Sequence, residues 1–122
     1  MLRIYTYQKC STCRKATQWL KTRDIPFEEI AIRETPPPKG ELRVVLEAYE
    51  GNTRRLFNTS GGDYRAAGLS EKLDDMAVDE ALKLLTENGN LVKRPFLIDE
   101  EEGLFQVGFK EAEWDKAFAD RA

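Results

Sequence analysis

The chain has 122 residues, 41% of them hydrophobic and 34% charged, with a formal net charge of −3. Such a chain is bounded to one domain with a core that needs no staples, and its charge excludes the basic footprint of a nucleic-acid binder. It contains no histidine, which excludes Ser-His-Asp and Cys-His catalytic arrangements and any His-ligated metal site. No apolar run is long enough for a transmembrane helix. The N-terminus enters a strand at once without a signal-peptide pattern, so the cytoplasm, with its reduced thiols, is the expected compartment.

Leu2 to Tyr7 (LRIYTY) is rich in β-branched and aromatic residues and reads as a strand. From Ser11 the period changes: Cys13, Ala16, Thr17 and Leu20 recur at helical spacing. The only two cysteines, in Cys10-Ser11-Thr12-Cys13, therefore fall at the junction of strand and helix. Cys10 sits at the helix N-terminus, where unpartnered N–H groups carry partial positive charge and favour a thiolate. Lys9, Arg14 and Lys15 add cations that also lower a thiol pKa. Cys13 comes round to the same face, within reach of a disulfide. Cys10 is thus the expected nucleophile and Cys13 its resolving partner.

Blander readings of the pair are weaker. A permanent bridge across so short a loop would constrain the unfolded chain little. A zinc site lacks its other half, since no further cysteine and no histidine exist. Simple burial of small apolar residues fits Cys13 better than Cys10. Redox-active chemistry is the reading that spacing and context favour.

Beyond the first helix, Arg23-Asp24-Ile25-Pro26 breaks the period, and Phe27 to Ile32 (FEEIAI) reads as a second strand. Thr35-Pro36-Pro37-Pro38 is a stiff connector into a helix from Lys39 to Glu50, with Leu42, Val45, Leu46 and Tyr49 on one face and Gly51-Asn52 as its stop. Leu56 and Phe57 anchor a short segment before the turn-rich Asn58 to Gly62. Tyr64 to Leu69 and Ser70 to Met76 read as short helical pieces. Asp79 to Glu87 is a clearer helix with Val78, Ala81, Leu82 and Leu85 as its stripe, ended by Asn88-Gly89-Asn90. Pro95 to Asp99 and Leu104 to Val107 form a β-hairpin around the acidic, solvated turn Glu100 to Gly103. A last helix, Lys110 to Ala119, packs back through Trp114 and Phe118; Trp19 and Trp114 are read as packing residues. The order βαβ, helical block, ββα predicts an α/β, thioredoxin-like fold: a single domain over residues 1–122 with a helical insertion over about 39–88. The cationic pairs Arg54-Arg55 and Lys93-Arg94 are candidate holders of a small anion.

With these elements in place the chain resembles the arsenate reductase (ArsC)/Spx family over nearly its full length. The resemblance rests on Tyr5 to Lys15 (YTYQKCSTCRK), Leu56 to Gly61 (LFNTSG), Leu91 to Pro95 (LVKRP), Val107 to Phe109 (VGF) and Trp114. It is nearest to the arsenate-reductase-like branch that carries Cys-x-x-Cys. The resemblance implies that Cys10 is the nucleophile and Cys13 resolves it. It also implies that Arg94 stands beside Cys10, next to Pro95, which family structures hold cis. Ser11, Thr12, Arg14, Asn58 and Pro95 are the implied substrate or anion contacts. No resident cofactor is implied, only an external thiol reductant such as thioredoxin or glutaredoxin with glutathione.

Three departures shape the expected activity. Asn58 stands where glutaredoxin-coupled arsenate reductases carry a second arginine, the hairpin from Leu104 to Phe109 holds no third, and Thr6 replaces a histidine. A clamp of one arginine implies poor arsenate reduction. The resemblance therefore implies a thiol-disulfide oxidoreductase. Its alternative is an Spx-type redox-sensing regulator that binds the C-terminal domain of the RNA polymerase α subunit, with Gly51 near the glycine such regulators use. A non-catalytic adaptor is a third, weaker reading. Neither direct nucleic-acid binding nor membrane attachment is implied.

Overall fold

The computed structural model of the protein describes residues Met1–Ala119. In chain order its elements are β1 (Arg3–Thr6), α1 (Ser11–Thr22), β2 (Glu28–Ala31), α2 (Lys39–Ala48), α3 (Gly62–Ala66), α4 (Leu69–Lys72), α5 (Val78–Glu87), β3 (Phe96–Asp99), β4 (Leu104–Val107) and α6 (Glu111–Ala119). Short 3-10 turns occupy Thr53–Leu56, Leu73–Asp75 and Gly89–Leu91. They belong to two compact units: Met1–Ala31 with the chain from Arg94 onward, and Ile32–Lys93.

The first unit is built on a sheet of order β2-β1-β3-β4. β1 runs parallel to β2 across the α1 crossover, and antiparallel to β3, which in turn pairs antiparallel with β4. This is the thioredoxin-like arrangement that the element order predicts. Strand alternation decides its faces. Leu2 and Ile4 point to one side with Leu97 and Leu104, where Ala16, Trp19 and Leu20 of α1 and Trp114 of α6 complete a buried cluster. Tyr5 and Phe96, paired in register, meet edge-on at 5.6 Å on the other side. Trp114 is fully buried and satisfies its indole N–H by donating to the Gly108 carbonyl at 3.1 Å.

The second unit is helical. Its buried residues include Leu42, Val45 and Leu46 of α2, and Ala81, Leu82 and Leu85 of α5. The segments Leu56–Asn58 and Leu91–Lys93 lie side by side, joined by a Phe57–Val92 bridge, by Asn58 N–H to Leu91 O at 2.7 Å, and by Lys93 N–H to Leu56 O at 2.8 Å. Gly89 is required here, because a Cβ would lie 2.0 Å from the Ile32 carbonyl oxygen. Asp63 Oδ2 accepts from the side-chain amides of Asn88 at 2.9 Å and Asn90 at 3.2 Å, fixing that turn.

The structure differs from the sequence reading at several places in this unit. Gly68 takes a left-handed conformation (φ 65) and divides the short helical pieces earlier than their periodicity suggests. Val78, expected on the α5 stripe, falls in the first turn of the helix and is 42% exposed. The pair Arg54-Arg55 is engaged locally: Arg54 donates to Tyr64 Oη at 2.6 Å and Asp74 Oδ1 at 2.7 Å, and Arg55 lies on the Tyr49 ring.

Candidate active site

The residues before α1 form a tight turn, in which the Cys10 N–H donates to Tyr7 O at 3.0 Å. Cys10 is then the N-cap of α1, with extended backbone (φ −92, ψ 113). An oxygen side chain usually fills this role by accepting from an early helical N–H. Here the Cys10 sulfur does so, accepting from the Cys13 N–H at 3.3 Å. Both cysteines are free thiols; Cys10 is half-buried and Cys13 is 2% exposed. The sequence pattern puts a nucleophile at the cap and its partner one turn inside, and the backbone has that form.

Arg94 and Pro95 lead into β3 and are joined by a cis peptide bond. Gly108, at φ 75, donates its N–H to the Pro95 carbonyl at 2.9 Å, and its own carbonyl receives the Trp114 indole. The Val107-Gly108-Phe109 motif thus ties the end of β4 and the start of α6 to Pro95. The Arg94 guanidinium lies 5.1 Å from the centre of the Tyr7 ring, a cation–π contact, and reaches Cys10 through both its charge and a hydrogen bond. Its Nη1 is buried and has no hydrogen-bond partner among the described residues.

These neighbours split the two thiols. Burial opposes ionisation of Cys10. The hydrogen bonds from Cys13 and the charge and hydrogen bond of Arg94 outweigh it, holding the Cys10 thiol below its ordinary value. Burial pushes the Cys13 thiol up to about 12, aided by its hydrogen bond to Cys10 and the Cys10 charge; a backbone hydrogen bond from Tyr7 and the charge of Arg94 act the other way.

Among the other predicted contacts, Ser11 and Thr12 open α1, with Ser11 exposed and Thr12 half-buried. Arg14 is exposed and donates from Nη1 to Gln8 O at 3.2 Å. Asn58 belongs to the second unit, where its backbone joins Leu91 and its carbonyl receives the Gly61 N–H at 3.0 Å. Tyr7 escapes a reading of the sequence. It contacts Cys10 and Cys13 through its backbone and Arg94 through its ring. A single aromatic residue ahead of a cysteine pair carries no spacing signal. Only the position of Arg94, distant in sequence, gives it meaning.

Comparison with known proteins agrees with this geometry. The ArsC family model matches residues 5–117. The uncharacterized protein YusI of Bacillus subtilis (strain 168) is 44% identical over 118 residues, covering 97% of this chain and 98% of YusI. The global transcriptional regulator Spx of Enterococcus faecalis is 37% identical over 113 residues, 93% of this chain and 83% of Spx. Among solved structures, a possible arsenate reductase from Streptococcus mutans UA159 superposes with a TM-score of 0.85 at 40% identity, covering 94% of this chain and 98% of that one. A putative ArsC family related protein from Bacteroides fragilis gives 0.87 at 37% identity, covering 95% and 96%.

Proposed function

The chain belongs to the ArsC family, and from that premise we propose that it is a thiol-disulfide oxidoreductase with Cys10 as nucleophile and Cys13 as resolving thiol. The observation that carries this reading is the split between the two thiols: one stabilised as thiolate by the helix cap and Arg94, the other buried and held protonated. The Cys10 thiolate attacks a disulfide sulfur of the substrate, forming a mixed disulfide and releasing the other substrate sulfur as thiolate. At that point Cys10 has lost its negative charge, and one cause of the raised Cys13 pKa disappears. The Tyr7 hydrogen bond and the Arg94 charge then favour a Cys13 thiolate. Cys13 attacks Cys10, the second substrate thiol leaves, and two electrons have passed to the substrate. A thioredoxin, or glutaredoxin with glutathione, restores the Cys10–Cys13 dithiol. Ser11 and Thr12 follow Cys10 directly at the start of α1, and Arg94 is the cation that acts on the attacking sulfur.

A mild disulfide oxidant should convert the protein to a monomeric, intramolecularly bridged form. Intact mass and peptide mapping would show it, with Cys13→Ser instead trapping the mixed disulfide on Cys10. Formation of intermolecular dimers alone would remove the resolving role of Cys13.

The likeness to Spx favours a second reading, a redox-sensing regulator that binds the C-terminal domain of the RNA polymerase α subunit, with the Cys10–Cys13 bridge as its switch. Affinity capture from a native lysate by the reduced and the oxidised protein separates the readings. Stoichiometric, redox-dependent recovery of polymerase supports the regulator. Recovery of thioredoxin or of disulfide-bearing proteins by Cys13→Ser supports the reductase.

A further inference from the structure

Within the first unit a groove of about 650 Å³ follows α1 from Ser11, the residue after Cys10, through Lys15 and Trp19 to Arg23, with Phe109 and Glu111 on its far side. Its charge is lopsided. Arg14, Lys15 and Arg23 line it, against Glu111 as the single acid among the lining residues, on a chain whose net charge is −3. Lys15 is exposed and has no acidic partner among the described residues. Arg14 uses one guanidinium donor on Gln8 O. Arg23 lies 3.9 Å over the Trp19 ring and pairs with Asp115 at 3.7 Å. The apolar part of the lining is Phe109, half-buried, with the buried Trp19, their ring centres 6.4 Å apart. At 1.5 Å per helical residue, the path from Ser11 to Arg23 is about 18 Å, the length of roughly five extended residues. That suits a stretch of polypeptide rather than a small thiol.

We propose that this groove seats an acidic segment flanking the disulfide of a protein substrate, its carboxylates against Arg14, Lys15 and Arg23 and an apolar side chain against Phe109. The proposal rests on the thiol-exchange reading and names its substrate class. Charge complementarity brings the segment in by steering and fixes its direction, which presents the neighbouring disulfide to Cys10. Exchange then follows. A bond forms between Cys10 and the nearer substrate sulfur as the substrate disulfide breaks and its other sulfur departs as thiolate. Cys13 next displaces the substrate from Cys10, its proton passing to the departing thiolate. The substrate disulfide is reduced and the Cys10–Cys13 pair oxidised.

The test uses two synthetic peptides with the same internal disulfide, flanked by Glu-Phe-Glu in one and Lys-Phe-Lys in the other. Single-turnover oxidation of the reduced protein is followed for each and normalised to the rate with hydroxyethyl disulfide, a small neutral reagent. The wild type should prefer the acidic peptide on the order of 10-fold at low ionic strength, and the preference should shrink as salt is added. In Lys15→Glu/Gln18→Glu, two exposed positions on α1, the preference should vanish or reverse while circular dichroism stays unchanged. Equal normalised rates for both peptides in the wild type would overturn the proposal, as would a preference that the double substitution leaves intact. If hydroxyethyl disulfide reacts normally, such a result removes the groove alone. If neither peptide nor hydroxyethyl disulfide oxidises the pair, the thiol-exchange reading falls and the groove proposal with it.

Discussion

Replacing Arg94 by Ala removes a charge and a hydrogen bond that favour the Cys10 thiolate, while the burial that opposes ionisation stays. The Cys10 pKa should therefore rise. A less stable thiolate means a less stable reduced state, so the Cys10–Cys13 disulfide should become harder to reduce, by about 30 mV for each tenfold change in the exchange constant. Arg94→Lys should restore part of the charge effect without planar two-point donation. Tyr7→Leu should move both quantities the same way by less, since the Tyr7 ring acts on Cys10 through its cation–π contact with Arg94, worth about 0.5–2 kcal/mol. Tyr7→Phe keeps the ring and should leave them near wild type. Iodoacetamide alkylation against pH, with redox titration by mass shift, measures both. In the wild type Cys10 should alkylate across neutral pH, while Cys13, pushed up to about 12, stays protonated and unlabelled. An unchanged Cys10 profile in Arg94→Ala would leave its activation to the Cys13 amide and the helix dipole.

The ends of α1 and α2 show what a residue pattern conveys about an element and what it leaves out. Gly51-Asn52 marks the stop of α2 in the sequence, yet the residue in the left-handed position just past the Tyr49 cap is Glu50 (φ 58). Glu50 N–H bonds Glu47 O at 3.0 Å and Gly51 N–H bonds Leu46 O at 2.9 Å, the paired pattern of a Schellman motif. Asp24 (φ 55) plays the same part after α1, with Asp24 N–H to Lys21 O and Ile25 N–H to Leu20 O, both at 3.1 Å. A β-carbon is disfavoured at such a position, and an acid near a helix C-terminus opposes the macrodipole. Glu50→Gly should stabilise the protein by about 0.5–1 kcal/mol, read as a higher urea midpoint at unchanged slope. A lower midpoint would show that the Glu50 side chain contributes more than its backbone costs. Strands and long helices were legible because alternation and 3.6-residue periods report burial directly. The short helices between Gly62 and Asp75 were legible as helical pieces but not in their division, which depends on one left-handed glycine, Gly68. Cys10 and Cys13 were legible by spacing. Arg94 was legible as half of a cationic pair, but its place beside Cys10 only through the family motif, and Tyr7 and the role of Gly108 required the fold that brings β1, β3 and β4 together.

Across the whole molecule the question is which chemistry one well-placed arginine supports. Arsenate is a multiply charged oxyanion, and its reduction builds charge around arsenic that several donors must share. The sequence supplies Arg94 beside Pro95 and has no arginine from Leu104 to Phe109, and the family resemblance aligns Asn58 with a second clamp arginine. Arg54 cannot stand in freely, since Tyr64 and Asp74 already hold it. Loss of a preorganised donor to a developing oxyanion typically costs about 10²–10³ in turnover. Two missing arginines then leave arsenate reduction on the order of 10⁴-fold below a three-arginine site or worse. Disulfide exchange has no such requirement, because its transition state spreads charge over sulfur atoms and needs mainly a stabilised thiolate and a leaving thiol. The same preparation should therefore reduce hydroxyethyl disulfide readily and show negligible arsenate-dependent oxidation of a coupled reductant, with either thioredoxin or glutaredoxin supplied. Robust arsenate turnover with either would reverse that order: Arg94 and the first N–H groups of α1 would then suffice to bind and activate the oxyanion.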